Sequence, residues 1–147
     1  MRRGADDWME PTAAKSAAMR RVRTSGTAPE TALRSRLHGA GARFRVGYPV
    51  PGRPRRSIDI AFTRRRLAVF VDGCFWHGCP IHGGIPKANR AFWAAKREEN
   101  LTRDRDTDRC LREAGWAVVR IWEHVDAEVA ASEVLALLAS RDGEGPR

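Results

Sequence analysis

The chain has 147 residues, enough for one compact domain that buries roughly 70% of the surface its unfolded form exposes. Its 27 Lys and Arg against 18 Asp and Glu give a formal charge of +9, which points to a polyanionic partner. The odd count of three cysteines argues against a disulfide framework, and the lack of an export-like apolar segment or a window of ~18 apolar residues argues against export or a membrane span, so a cytoplasmic protein is expected.

Residues 1–11 and the tail "RDGEGPR" (141–147) read as disordered, leaving residues 12–140 as a single domain. "TAAKSAAMRRVR" is a short basic helix carrying Met19. A second helix opens at "TAPE", where Thr27 and Glu30 have the spacing of a capping box, and its apolar stripe is Ala32, Leu33, Leu37 and Ala40. "RFRVGY" alternates as a strand, and "PVPGRPRR", with Arg53, Arg55 and Arg56, reads as a loop. "SIDIAF" and "LAVFV" then flank the turn "TRRR" as a hairpin. Residues 91–114 form a long helix stopped by Gly115. "WAVVRIW" is a fourth strand, and residues 126–140 form a closing helix with Val129, Val134, Leu135 and Leu138 turned inward. The order predicts an α+β sandwich within the α/β class, a mixed central sheet flanked by helices.

Asp59 interrupts an apolar strand. If Phe62 pairs with Leu67, Asp59 lies opposite Phe70 with Asp72 as its diagonal neighbour, near enough for both carboxylates to reach one Mg²⁺; an ion pair with one of the many arginines is the alternative. Asp104 shares a helical arc with Leu101, Thr107, Asp108 and Leu111, so it faces the packed side, where it needs a cation or donors. In "VDGCFWHGCPIH", Cys74, Cys79 and His82 have short loop spacings that suit tetrahedral Zn²⁺. His124 is the fourth ligand by elimination, with His77 competing for the place. Cys110 reads as an ordinary free thiol. Phe75 and Trp76, adjacent in a loop of a basic protein, suit stacking on bases or wedging between them; Trp93 and Met19 are further candidates, although a Trp on a long helix also suits a core. The arginine clusters suit phosphates.

"VPGRP" before "IDIAF", then "VFVDGCFWHGCPIH", "NLTRDRDTDRCLREAGW" and "VVRIWEH" resemble the very-short-patch-repair (Vsr) DNA mismatch endonucleases over residues 12–125. The resemblance implies a restriction-endonuclease-like fold, Mg²⁺ for catalysis beside a structural Zn²⁺, and nicking of the thymine strand of T:G mismatches left by deamination of 5-methylcytosine. It gives Mg²⁺ to Asp59 and the carbonyl of Val71, and Zn²⁺ to Cys74, Cys79, His82 and His124, the last standing where the family commonly has Cys. His77 would act at the scissile phosphate, Asp104 would support the metal and its water, and Glu30 would join the catalytic group. Asp72 stands where the best-known member has histidine. Phe75, Trp76, Trp93 and Met19 would wedge beside the mismatch, and Arg53 and Arg55 would position the DNA backbone. The implied partners are duplex DNA with a T:G mismatch and, functionally, a DNA cytosine methyltransferase; a monomer is expected. The other readings are a restriction-type endonuclease that cuts both strands and a non-catalytic zinc-containing DNA-binding module.

Overall fold

The computed structural model describes residues 27–77, 79–81 and 84–142, apart from the side chains of Phe75, Trp76 and Asp142; the expected basic helix at 12–23 lies outside them. The elements run α1 (Ala28–Gly39), β1 (Arg45–Val50), β2 (Arg53–Phe62), β3 (Leu67–Asp72), α2 (Cys74–His77), α3 (Arg90–Glu113), β4 (Ala117–Trp122) and α4 (Ala127–Asp142). The four strands form one mixed sheet in chain order. The β1–β2 and β2–β3 pairs are antiparallel, while β4 runs parallel to β3 after the long crossover through α3.

β3 is apolar along nearly its whole length because both faces of the sheet are covered there. On one face Ile60, Phe62, Leu67, Val69, Val119 and Ile121 meet Leu33 and Leu37 of α1 and Val134 and Leu138 of α4. On the other, Ala61, Ala68 and Phe70 meet Leu111 of α3 and Trp116. The result is an α+β fold with helices on both sides of a mixed sheet. Among the described residues no helix is long and apolar enough to cross a membrane.

Three local expectations differ from the structure. The segment 49–56 is strand rather than loop: only Pro51 and Gly52 turn, with Gly52 at φ +80, the residue pair of a type II turn, and Arg53, Arg55 and Arg56 belong to β2. Pro49 and Pro54 signal a loop locally, but proline is tolerated on an edge strand such as β1 and near the first residue of a strand. Thr27 is the N-cap of α1 but makes no side-chain cap bond, and Glu30, instead of reaching back to the cap, turns inward and is 2% exposed. In α4 the inward positions are Ala130, Ala131, Val134 and Leu138, whereas Val129 is 59% exposed.

Leu37, at 0% exposure, and Val129 therefore make opposite predictions. Leu37→Ala should cost about 3 kcal/mol of unfolding free energy, and Val129→Ala should change it by less than about 0.5 kcal/mol. Urea denaturation of the two variants checks both.

Candidate active site at the fork of the sheet

The ladder between β2 and β3 pairs Phe62 with Leu67, Ala61 with Ala68 and Ile60 with Val69, and ends there. The register is the one the turn "TRRR" implies, but the strands part just where Asp59 and Phe70 would pair next. The Asp59 side chain fills the gap: its Oδ2 accepts the Val71 N–H at 2.9 Å in place of a strand carbonyl. Ile58 and Ile60 feed different cores, so β2 changes the face it serves across Asp59. This fork opens a cavity of about 350 Å³ walled by Glu30 of α1, Asp59 of β2, Val71 and Asp72 of β3, His77 of α2, and Asn100, Asp104 and Thr107 of α3.

The cavity concentrates negative charge in a poorly solvated place. Burial is the main cause that raises the Asp59 carboxyl to about 7, with Glu30 and Asp72 adding to it and the Val71 N–H opposing. Asp72 is likewise raised by burial, against Arg120 and His77, which hold it down. The expected sharing of one cation by Asp59 and Asp72 is not what the geometry favours. Asp72 Oδ1 and Oδ2 lie 3.0 and 3.2 Å from Arg120 Nη1, so its carboxylate is spent on that guanidinium. His77 Nδ1 is hydrogen-bonded to Asp104 Oδ2 and stands 3.8 Å from Asp72 Oδ2. Asp104 thus has the partner that its helical arc demanded, and that partner is an imidazole.

The cysteine loop divides as its chemistry suggests. Cys74, Cys79 and His124 bring their ligand atoms within 4.8 Å of one another, with Cys74 Sγ 3.2 Å from His124 Nδ1; His82 lies outside the described residues. Burial, then Cys79 and Glu123, push the Cys74 thiol up to about 11, a shift that a cation would reverse. Two sulfurs and an imidazole nitrogen fit a tetrahedral Zn²⁺. His77 belongs to a separate cluster with Asp72 and Asp104, so it does not compete with His124 for the cysteine pair.

The DNA-facing candidates are spread out. Arg55 lines the cavity mouth with Arg56 and Arg103. Arg53 is bound to Asp106 at 3.0 Å, and Arg56 to the same carboxylate at 2.7 Å, which ties the β1–β2 hairpin to α3. The Arg56 and Arg53 hydrogen bonds lower Asp106 to about 2. Trp93 is 2% exposed, edge-on to Phe92. Phe75 and Trp76 sit in α2 directly before His77, and Met19 lies outside the described residues. Sequence reasoning missed Arg120, Asp106 and Glu123, whose Oε2 accepts the Cys74 N–H at 2.9 Å. Arg120 had a usable signal: it is a lone charge inside the apolar strand "VVRIW", as Asp59 is inside "IDIAF".

Acidic groups gathered at a sheet fork, with arginines at the mouth, suit hydrolysis of a phosphodiester, and comparison with known proteins gives that class: the chain is a DNA endonuclease. The profile of the family described as DNA mismatch endonuclease Vsr matches residues 7–82, and the chain belongs to that family. It is 44% identical over 132 residues to the type II nicking enzyme V.NaeI of Lentzea aerocolonigenes, a match covering 86% of this chain and 77% of the relative. With the type II nicking enzyme V.XorIIP of Xanthomonas oryzae pv. oryzae it shares 42% identity over 78% of this chain and 83% of that one. With the DNA mismatch endonuclease Vsr of Escherichia coli strain K12 it shares 39% over 76% and 70%.

The raised Asp59 carboxyl makes a stability prediction. The folded state holds this proton more tightly than the unfolded state does, so its stabilising contribution is complete below pH ~4 and is lost as pH rises to about 7. In EDTA at pH 8, Asp59→Asn should therefore be more stable than the wild type, by on the order of 4 kcal/mol for a rise of this size. The gap should close toward pH 4, and thermal melts across that range measure it.

Proposed function

We propose that the chain is a strand-specific endonuclease that nicks duplex DNA beside T:G mismatches, on the thymine strand, leaving a 5′-phosphate and a 3′-hydroxyl. The observation that supports it most is the pocket in which Asp59 and Glu30 face the His77–Asp104 pair, within a chain of the Vsr family. Asp59 and the Val71 carbonyl are the groups that would hold Mg²⁺, and the high Asp59 pKa is what a bound cation would relieve. When bound, Mg²⁺ supplies Lewis-acid activation of the phosphate and a more acidic water. His77, fixed through Nδ1 by Asp104, keeps Nε2 for proton exchange at an oxygen of the scissile phosphate. Glu30 closes the wall behind Asp59. Arg55 and Arg103 line the mouth, where they would hold phosphates without reading sequence.

Phe75 and Trp76 would wedge at the mismatch, where a weakened base step costs less to unstack, and Met19 would enter from the N-terminal side. Trp93, being buried, is not offered to the DNA. Zn²⁺ on Cys74, Cys79, His82 and His124 would hold this loop in place, and the whole would be a restriction-endonuclease-like fold acting as a monomer. Its substrate would come from a DNA cytosine methyltransferase, whose methylated product deaminates to thymine.

Nicking of T:G and matched duplexes of varied flanking sequence tests the reading. T:G duplexes should be cut on the thymine strand only, and equal cutting of matched duplexes would reject the mismatch and leave a nicking enzyme, the term by which the V.NaeI and V.XorIIP relatives are named. Asp59→Ala should abolish nicking while duplex binding persists, and His77→Ala should slow it by about 10²- to 10⁴-fold. For zinc, metal analysis should find about one equivalent per chain, lost together with thermal stability in Cys74→Ser.

A further inference from the structure

Asp72, His77 and Asp104 hold their ligand atoms within 4.8 Å of one another, close enough to bridge a divalent cation. A buried and a half-buried carboxylate at that spacing require positive charge. The fold already contains it. Arg120 enters from β4, beside Phe70 in the parallel register, and its Nη1 takes both oxygens of Asp72 at 3.0 and 3.2 Å. The same Nη1 is 3.7 Å from Asp104 Oδ1. Nε and Nη2 donate to Asp108 Oδ1 at 3.1 and 2.8 Å, and Cζ lies 4.2 Å over the centre of the Phe70 ring. A planar guanidinium held along its donor edges and on one face has little freedom to swing out. Arg120 and His77 approach opposite oxygens of Asp104, Oδ1 and Oδ2, so they clamp one carboxylate between them.

We infer that Arg120 is a built-in cation that closes the Asp72–His77–Asp104 cluster to divalent metal and positions His77 through Asp104. The reacting cation is thereby confined to the Asp59 side of the cavity, a consequence that rests on the proposed function, whereas the closure itself does not. Arg120 touches neither substrate nor metal in this account; it is a positioning residue. Replacing it with a neutral side chain would remove the guanidinium that spans Asp72 and Asp108 and leave Asp72 and Asp104 beside an imidazole, and oxygen donors with one nitrogen suit Mn²⁺.

Mn²⁺ titration followed by electron paramagnetic resonance tests the closure without any DNA. In an Asp59→Asn background, which removes the Asp59 ligand, the cluster should take no Mn²⁺. Adding Arg120→Met should create one site per chain, lost again on His77→Ala. Mn²⁺ bound by Asp59→Asn alone and lost with His77→Ala would overturn the closure, as would the absence of a new site in a folded Arg120→Met chain. Arg120→Lys keeps the charge but replaces the fork with one ammonium, and it covers the case in which Arg120→Met does not fold. The His77 Nδ1 proton resonance, shifted downfield by the bond to Asp104 in the wild type, should move upfield in Arg120→Lys. With T:G duplexes, kcat should fall about tenfold with KM unchanged. An unmoved resonance would overturn the positioning role even if the wild type nicked nothing, whereas failure to nick T:G duplexes with the resonance shifted would fault the proposed function alone.

Discussion

Glu30, Asp59, Asp72, Asp104 and Asp108 lie in or beside one cavity at the end of a four-stranded sheet, and like charges so placed repel strongly where water is scarce. What keeps them folded together is a division of positive charge. Arg120 spans Asp72 and Asp108 and leans on Asp104, and His77 takes the other side of Asp104. Burial alone would lower the pKa of this arginine, but Asp108, Asp72 and Asp104 more than offset it, so the net direction is upward. Among the described residues Asp59 has no comparable bond to a cation. Its partner is a backbone N–H, and burial raises its pKa to about 7.

The backbone reason for the cavity is the split between β2 and β3. An antiparallel ladder that continued past Ile60 and Val69 would occupy the space with strand hydrogen bonds. Because β3 pairs instead with β4 on its other side through Asp72, it stays fixed while β2 departs with the β1 hairpin. Asp106 then ties the departing strand to α3 through Arg53 and Arg56, which sets the width of the opening and places Arg55 at its mouth. The parallel β3–β4 register is also what delivers Arg120 to Phe70 and Glu123 to the start of the cysteine loop.

Much of this was legible in the chain. The β2–β3 turn and register, the long helix, the fourth strand and the facing of Asp104 all follow from local periodicity. The grouping of Cys74 and Cys79 with His124, fifty residues away from Cys74, was reached by counting donors. The differences share a cause: Pro49 and Pro54 signal a loop, Thr27 and Glu30 a cap, and Val129 core, but each local signal has a second outcome that only the neighbouring element selects.

Residue type and local pattern fix which residues are chemically able to act: a carboxylate stranded in "IDIAF", two cysteines and two histidines in one loop, and arginines in excess. Tertiary structure decided how they pair. A ladder continued past Ile60 would put Asp59 and Asp72 on one face, yet Asp72 goes to Arg120 and Asp59 to Val71, since the pairing energy of a buried charge depends on the donor that a distant strand or helix brings within about 3 Å. That distance is set by the parallel crossover and the fork of the sheet, which no stretch of sequence encodes alone.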